Sequence, residues 1–271
     1  MPELPEVETT RLGIVSHLKG KKINLVNVYQ PALRWPVPAN LSRLIKNKTI
    51  NDITRRGKYL LFHFDNGTML IHLGMSGSLR LSSNLSSPDS YEHVEFIIGN
   101  EYGLRLRDPR RFGAVLWASG NPLQHPLLEK LGPEPLEKDF THHYLYDKSR
   151  QRKVSIKDFL MNSHIVAGLG NIYVNESLFV AGIRPTRITR KITLNESKRL
   201  VIAIRKILKK SLKAGGTTLR DFSGSSGEPG YFKQQLLIYG RDGENCNQCK
   251  TIIKRIKQGQ RSSFYCPKCQ S

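Results

Sequence analysis

Through its first 245 residues the chain contains no cysteine, and all four of its cysteines fall between Cys246 and Cys269. A disulfide framework is therefore excluded for the body of the protein. Acidic residues are scarce as well: 22 Asp and Glu stand against 43 Lys and Arg, a net charge of +21 at pH 7. An excess of that size points to a polyanionic partner, with nucleic acid first. A membrane surface is disfavoured, because no basic amphipathic segment lacks a core to pack on. Long apolar runs are missing too, and nothing approaches the ~18 residues of a membrane span. The N-terminus lacks the charged-then-apolar pattern of a signal peptide, so an intracellular protein is expected. What remains is an ordinary hydrophobic content of 38% in 271 residues, enough for two domains and a small appendage.

Val7, Ile14 and Leu18 suit one helix face. Pro5 opens that helix, Glu6 and Glu8 favour its positive end, and Gly20 stops it. Short strands are predicted at 23–28, 49–54, 59–64, 68–73, 93–98, 104–107 and 114–117, with Asp65-Asn66-Gly67 as a hairpin turn. Such spacing suggests a sandwich or barrel. Leu131-Gly132-Pro133-Glu134-Pro135 breaks the pattern and marks a domain boundary. Beyond it, Ser155 caps a helix through Ile165, Gly168-Leu169-Gly170-Asn171 makes a corner, and a second helix covers 172–181. Thr193 and Glu196 form a capping box for a long helix ending at Gly215-Gly216. Lys206, Lys209, Lys210 and Lys213 give that helix a solvated face that adds to the basic field. Residues 217–230 read as a loop rich in Gly and Ser.

The chemistry begins at the second residue. Removal of Met1 would leave Pro2 with a free secondary amine, and an α-amino group titrates near pH ~8. Such an amine can attack a carbon bearing a leaving group and end as a Schiff base, with Glu3 beside it as acid or base. The same residues also read as a loose terminus with a proline at a helix start. Cys246-Asn247-Gln248-Cys249 and Cys266-Pro267-Lys268-Cys269 place four thiolates on two knuckles, the pattern of a closed tetrahedral zinc site. An intracellular chain disfavours two disulfides there, and an iron–sulfur cluster usually shows other spacing. Between the knuckles, strands at 251–257 and 262–265 make a β-ribbon joined at Gly259. Arg261 lies just past its tip, able to reach a DNA groove or to stay solvated.

Gly168-Leu169-Gly170-Asn171 lacks the third glycine of a dinucleotide fingerprint, because Tyr173 stands there, and it joins two helices. It reads as a phosphate anchor at a helix N-terminus or as a plain turn. Asp108-Pro109-Arg110-Arg111-Phe112-Gly113 sets an aromatic between an arginine pair and a glycine. That suits a wedge with cations on DNA, or a core phenylalanine with solvated arginines. His72 and His93 fall on predicted strands, where a histidine is more often structural.

Taken together, Pro2-Glu3-Leu4-Pro5-Glu6-Val7-Glu8, Arg56-Gly57-Lys58-Tyr59, His72-Leu73-Gly74-Met75, the 108–113 and 168–173 segments and the cysteine quartet resemble the formamidopyrimidine-DNA glycosylase family. The motifs span nearly the whole chain in order. The resemblance implies an α+β fold: an N-terminal β-sandwich with a leading helix (1–132), a helix–two-turn–helix domain (133–236) and a C-terminal β-ribbon zinc finger (237–271), with DNA crossing between domains. It implies that an oxidised purine, such as 8-oxoguanine or a formamidopyrimidine, is flipped out of the duplex. Pro2 would attack C1′, Glu3 would protonate the opening sugar, Lys58 would serve as β-elimination acid, and Arg261 would assist δ-elimination. Met75, Arg110 and Phe112 would fill the vacated stack and read the opposite cytosine. His72, His93, Lys153 and Asn171 match further DNA contacts, and Glu6, Lys157 and Glu176 match the lesion pocket, over which residues 217–230 would close. Cys246, Cys249, Cys266 and Cys269 would hold one structural Zn²⁺.

The partner implied is double-stranded DNA carrying oxidised purines or abasic sites, met by a monomer in a bacterial cytoplasm, associated with the nucleoid and not with membrane. Endonuclease VIII, the sister group acting on oxidised pyrimidines, is disfavoured by Met75 and the Arg110/Phe112 pair. A zinc-finger protein that only binds DNA is disfavoured by Pro2, Glu3 and Lys58, since binding needs no free proline amine.

Overall fold

The first helix, α1 (Leu4–Leu18), is fixed by its own entrance. Glu3 occupies the N-cap, and its N–H donates to Glu6 Oε2 at 2.9 Å, within a capping box. Pro5 sits in the first turn, where a missing N–H costs nothing. The structure, a computed structural model, describes residues 2–82, 87–99, 102–216 and 235–271. Its chain divides into two units, one built on the residues up to Lys130 and one on Leu131–Lys213 with Gln234–Ser271.

In the first unit, α1 is followed by β1 (Ile23–Val28), a short α2 (Leu41–Ile45), β2 (Asp52–Arg56), β3 (Tyr59–Phe64), β4 (Gly67–His72), β5 (Ser78–Ser82), β6 (Glu92–Ile98), β7 (Tyr102–Arg107) and β8 (Ala114–Ala118). They make two four-stranded sheets, ordered β1-β6-β7-β5 and β2-β3-β4-β8, antiparallel throughout. One core joins Ile23, Val94, Phe96 and Leu104 of the first sheet to Leu60, Phe62, Met69 and Ile71 of the second. Val7, Ile14 and Leu18 of α1 close it. This is the face-to-face packing of a sandwich. The strand expected at 49–54 starts later, at Asp52, and Thr49 keeps only an isolated bridge to Lys22. The β3–β4 turn requires Gly67, whose φ is +149°; a Cβ there would meet the Trp117 ring at 2.5 Å and Ala118 O at 2.6 Å.

The second unit contains α3 (His142–Ser149), α4 (Ile156–Met161), α5 (Asn171–Ala181), α6 (Leu194–Lys213) and a ribbon of β9 (Lys254–Gln258) with β10 (Arg261–Tyr265). Ser155 caps α4 as expected, accepting the Asp158 N–H at 3.1 Å. The helix nevertheless ends at Met161, short of Ile165, because Asn162 Oδ1 accepts the His164 N–H at 2.9 Å and turns the chain. The capping box of α6 is present: Glu196 N–H donates to Thr193 Oγ1 and Thr193 N–H to Glu196 Oε2. Leu200, Ala203, Ile204, Ile207 and Leu208 form its buried stripe. The Tyr173 and Ser211 hydroxyls bond at 2.6 Å between α5 and α6. The ribbon does not stand apart from these helices, since Ile253 and Phe264 share a core with Phe179 and Ile238. Among the described residues no helix is long and apolar enough to cross a membrane.

Phe96 is fully buried between the sheets. Phe96→Ala should lower unfolding stability by about 3–5 kcal/mol in urea titration; a loss below ~1 kcal/mol would contradict a shared sandwich core.

Candidate catalytic and nucleic-acid site

At the N-terminal end of α1 stand Pro2, Glu3 and Glu6, all buried. The helix begins there with its N–H groups unpaired along the axis, a positive end that favours carboxylates. Glu3, 2% exposed, and Glu6 are held to each other by the capping box.

Lys58 follows the β2 end in the Arg55-Arg56-Gly57-Lys58 turn, where Gly57 takes φ +57°. Arg55 braces that turn, donating to Gly57 O at 2.9 Å and through Nε to Glu8 Oε2 at 3.0 Å. Burial works to raise the Glu8 pKa, but hydrogen bonds and charge from Arg11 and Arg55 outweigh it and hold the carboxyl below its ordinary value. Glu8 is thereby committed to bracing, leaving Glu3 and Glu6 as the carboxyls at the terminus. Across the β3–β4 pair, Tyr59 faces His72 with ring centroids 4.7 Å apart. Burial first, then the charges of Lys58 and Arg34, push the His72 pKa down from 6.5 to about 4. Its Nδ1 accepts the Gly74 N–H at 3.0 Å, so the neutral ring carries its proton on Nε2 and is a donor. Arg34 was not marked in the sequence. Its N–H donates to Gly113 O at 3.2 Å, and its guanidinium lies 4.6 Å from the Trp35 ring, an Arg-Trp pairing that could have flagged it.

Met75 and Phe112 are 39% and 40% exposed, and Arg110 is exposed beside them, with its guanidinium 4.9 Å from the Phe112 ring. The two loops touch backbone to backbone. Gly74 has φ +64°, and a Cβ there would come 2.4 Å from Phe112 C and 2.5 Å from Gly113 N. The buried Asp108 carboxylate ties the same loops together. It accepts from Ser76 Oγ at 3.0 Å, Arg110 N–H at 3.3 Å and Gly113 N–H at 2.6 Å. His93, expected among the DNA contacts, is 3% exposed and donates from Nε2 to Asp108 O at 2.7 Å. It stands behind the loop as a brace. The exposed ring at that edge is Tyr91, stacked under Arg107, a side chain the sequence reading passed over.

In the second unit Asn171 opens α5 and donates to Ser262 O at 3.2 Å. Lys157 is fully buried, its Nζ on Ser262 O and Ser263 Oγ, both at 2.7 Å. Asn175 Oδ1 accepts the Phe264 N–H at 2.8 Å. These side chains fix β10, at whose start the exposed Arg261 lies 3.5 Å from Met161 Sδ. Glu176 is buried and accepts the N–H groups of Leu237, Ile238 and Tyr239, each at 2.9 Å. Burial outweighs those hydrogen bonds and raises its pKa. Lys157 and Glu176, expected at the lesion pocket, are thus engaged inside this unit with the ribbon and the 237–239 turn. Lys153 is exposed. Residues 217–230, expected to close over the flipped base, lie outside the described residues.

The four sulfurs of Cys246, Cys249, Cys266 and Cys269 all lie within 4.8 Å of one another. Cys246–Cys269 and Cys249–Cys266 are 3.9 and 3.4 Å apart, far beyond a disulfide and near the ~3.8 Å edge of a ZnS₄ tetrahedron. Hydrogen bonds from Thr251 hold the Cys249 thiol down at about 6. Burial, with the neighbouring sulfurs, pushes Cys266 and Cys269 up. Crowded thiols of this kind give up their protons when a cation is there to share them. The site suits one structural zinc, with four protein ligands and no open position.

Two measurements check this geometry. Cys249→Ser should abolish stoichiometric zinc and loosen β9–β10 while the sandwich still unfolds cooperatively; full zinc retention would contradict the tetrahedral set. The His72 imidazole should titrate near pH 4 by NMR. The unfolded chain takes up that proton first, so the stability associated with neutral His72 is intact above 6.5 and falls away as pH drops toward 4. A midpoint at 6 or above would contradict the enclosed, cation-flanked ring.

Comparison with known proteins finds similarity along nearly the whole chain. The formamidopyrimidine-DNA glycosylase N-terminal domain matches residues 1–115, the H2TH domain of the same family matches 131–223, and the zinc finger found in FPG and IleRS matches 243–271. A formamidopyrimidine-DNA glycosylase of Thioalkalivibrio sulfidiphilus is 51% identical over 270 residues, covering 100% of both chains. A solved Lactococcus lactis Fpg bound to DNA containing an abasic site superposes with a TM-score of 0.92 at 34% identity, over 99% of both chains. MutM in complex with DNA containing carbocyclic 8-oxo-G gives a TM-score of 0.92 at 34% identity over the full length of both. With a two-sheet sandwich behind an acidic N-terminus, a helix–turn unit and a four-cysteine ribbon, the chain belongs to the formamidopyrimidine-DNA glycosylase family.

Proposed function

We propose that this chain is a base-excision repair enzyme that removes oxidised purines from double-stranded DNA and then cleaves the strand as an AP lyase. The observation that carries the reading is the exposed trio of Met75, Arg110 and Phe112 on two loops fused at Gly74. A surface that offers one flexible apolar side chain, one ring and one guanidinium suits the gap left by a flipped nucleotide. Two of those groups occupy the stack. The guanidinium, with five donors and no acceptor, satisfies the O2 and N3 acceptors of an orphan cytosine and meets the adenine amino group donor to donor.

The catalytic step begins at Pro2 once Met1 is removed. An α-amino group titrates near pH ~8, so an appreciable fraction of the amine is unprotonated at neutral pH. The amine attacks C1′ and the C1′–N bond to the base breaks, with the proton lost by the amine balancing the one gained by the departing base. The ring oxygen then leaves C1′ with a proton from Glu3, which gives an iminium. Loss of a C2′ proton then expels the 3′ phosphate, with Lys58 as acid, and a second elimination assisted by Arg261 expels the 5′ phosphate. Lys58, Arg110, Asn171, Arg261 and Lys153 take phosphates or nearby DNA atoms, as does His72 as a neutral Nε2–H donor. Glu6 borders the lesion pocket, while Lys157, Glu176 and His93 serve one layer back, as supports for the groups that meet DNA. The zinc stabilises the ribbon and takes no part in bond making. The protein acts as a monomer in the bacterial cytoplasm, at the nucleoid, without a membrane partner.

The test is excision of 8-oxoguanine opposite cytosine and opposite adenine. Arg110→Ala should lower kcat/KM opposite cytosine by about 1–3 kcal/mol in transition-state binding and narrow the preference over adenine. Lys153→Ala should weaken both partners about equally. Stronger activity on thymine glycol than on 8-oxoguanine would contradict the substrate assignment.

A further inference from the structure

Asp108 has no solvent-exposed surface and takes no part in any step assigned above. Its partners come from two loops. Oδ1 accepts the Ser76 hydroxyl and the Arg110 N–H, and Oδ2 accepts the Gly113 N–H. The first bond reaches the turn that carries Met75, while the other two hold both ends of the Arg110-Arg111-Phe112 segment. Between those ends Arg111 takes φ 55°, a left-handed conformation that a non-glycine residue keeps only where its surroundings over-determine it. Asp108 is anchored in turn, since its N–H donates to Tyr91 O at 2.9 Å and its carbonyl accepts from His93.

We propose that Asp108 is the positioning residue for opposite-base reading: a buried carboxylate that never touches DNA aims Arg110 and locks the Met75 turn against Phe112. The inference rests on Arg110 as the reader of the orphan base. An ionised carboxylate only accepts, and every donor aimed at it is then satisfied. Charge-assisted bonds of this kind are roughly twice as strong as neutral ones. Asparagine has the same shape, but its amide presents N–H groups toward at least one donor. Asp108→Asn therefore opens the clamp with no change in volume and without removing any group that faces DNA.

Excision of 8-oxoguanine opposite cytosine and opposite adenine would be measured for the unmodified protein, Asp108→Asn, Arg110→Ala and the double variant. Asp108→Asn is expected to narrow the cytosine-to-adenine ratio of kcat/KM by roughly fivefold or more. The double variant should show the ratio of Arg110→Ala alone, because both changes act through one contact. If Arg110→Ala narrows the ratio and Asp108→Asn leaves it unchanged, the proposal falls and the Arg110 assignment stands. If neither changes it, both fall. Narrowing that multiplies in the double variant also overturns the proposal, since Asp108 would then act apart from Arg110. Should Asp108→Asn fold poorly by thermal unfolding, Ser76→Ala replaces it by deleting one donor to the same carboxylate. A narrowed ratio supports the clamp, and an unchanged one overturns it.

Discussion

A carboxylate buried against one hydroxyl and two backbone N–H groups is an unusual keystone, and the exposed surface that carries Met75, Arg110 and Phe112 depends on one. Asp108 collects a hydroxyl and two backbone N–H groups from segments more than thirty residues apart in sequence. Gly74 supplies the other half of the join. With no Cβ, it lets one backbone lie directly against another at Phe112 and Gly113. Exposed side chains on separate loops would lose much of their aim to thermal motion. On two loops bonded to one buried anion, Met75, Arg110 and Phe112 become a preorganised surface, and little ordering cost remains at the moment of binding.

The same division between outer groups and inner supports recurs in the second unit. Arg261 is exposed at the surface, while Lys157, Asn171, Asn175 and Glu176 spend their polarity on backbone partners. A lysine and a glutamate that are both fully buried would be costly if unpaired. Here each is bonded to a neighbouring segment of the same unit: β10 for Lys157 and the 237–239 turn for Glu176. The zinc ligands belong to this pattern as well, because a ribbon with few buried apolar groups draws its stability from the metal.

Much of this was legible in the sequence where local rules decide. Pro5 and Glu6 announce α1, Thr193 and Glu196 announce α6, and the cysteine spacing announces the zinc site without any tertiary information. The short apolar and aromatic run of β3 and the alternating Val94, Phe96 and Ile98 of β6 likewise reveal strands. What escaped was set by contacts distant in sequence. The early end of α4 turns on the side chain of Asn162, and α2, α3 and β5 are short elements with weak periodicity. His93, Lys157 and Glu176 carry polar side chains that look solvent-facing until the fold buries them. The partnership of Gly74 with Phe112, and of Asp108 with Ser76, has no signature in either segment alone.

The nucleophile proposed for this chain is the N-terminal proline, and the atom to which DNA becomes attached identifies it. Protein incubated with an 8-oxoguanine duplex would be reduced with borohydride, digested, and the adduct located by mass spectrometry. The expected product is one deoxyribose-derived adduct on the nitrogen of Pro2, in a peptide that has lost Met1. An adduct on Lys58, or on any other lysine, with Pro2 unmodified would contradict it.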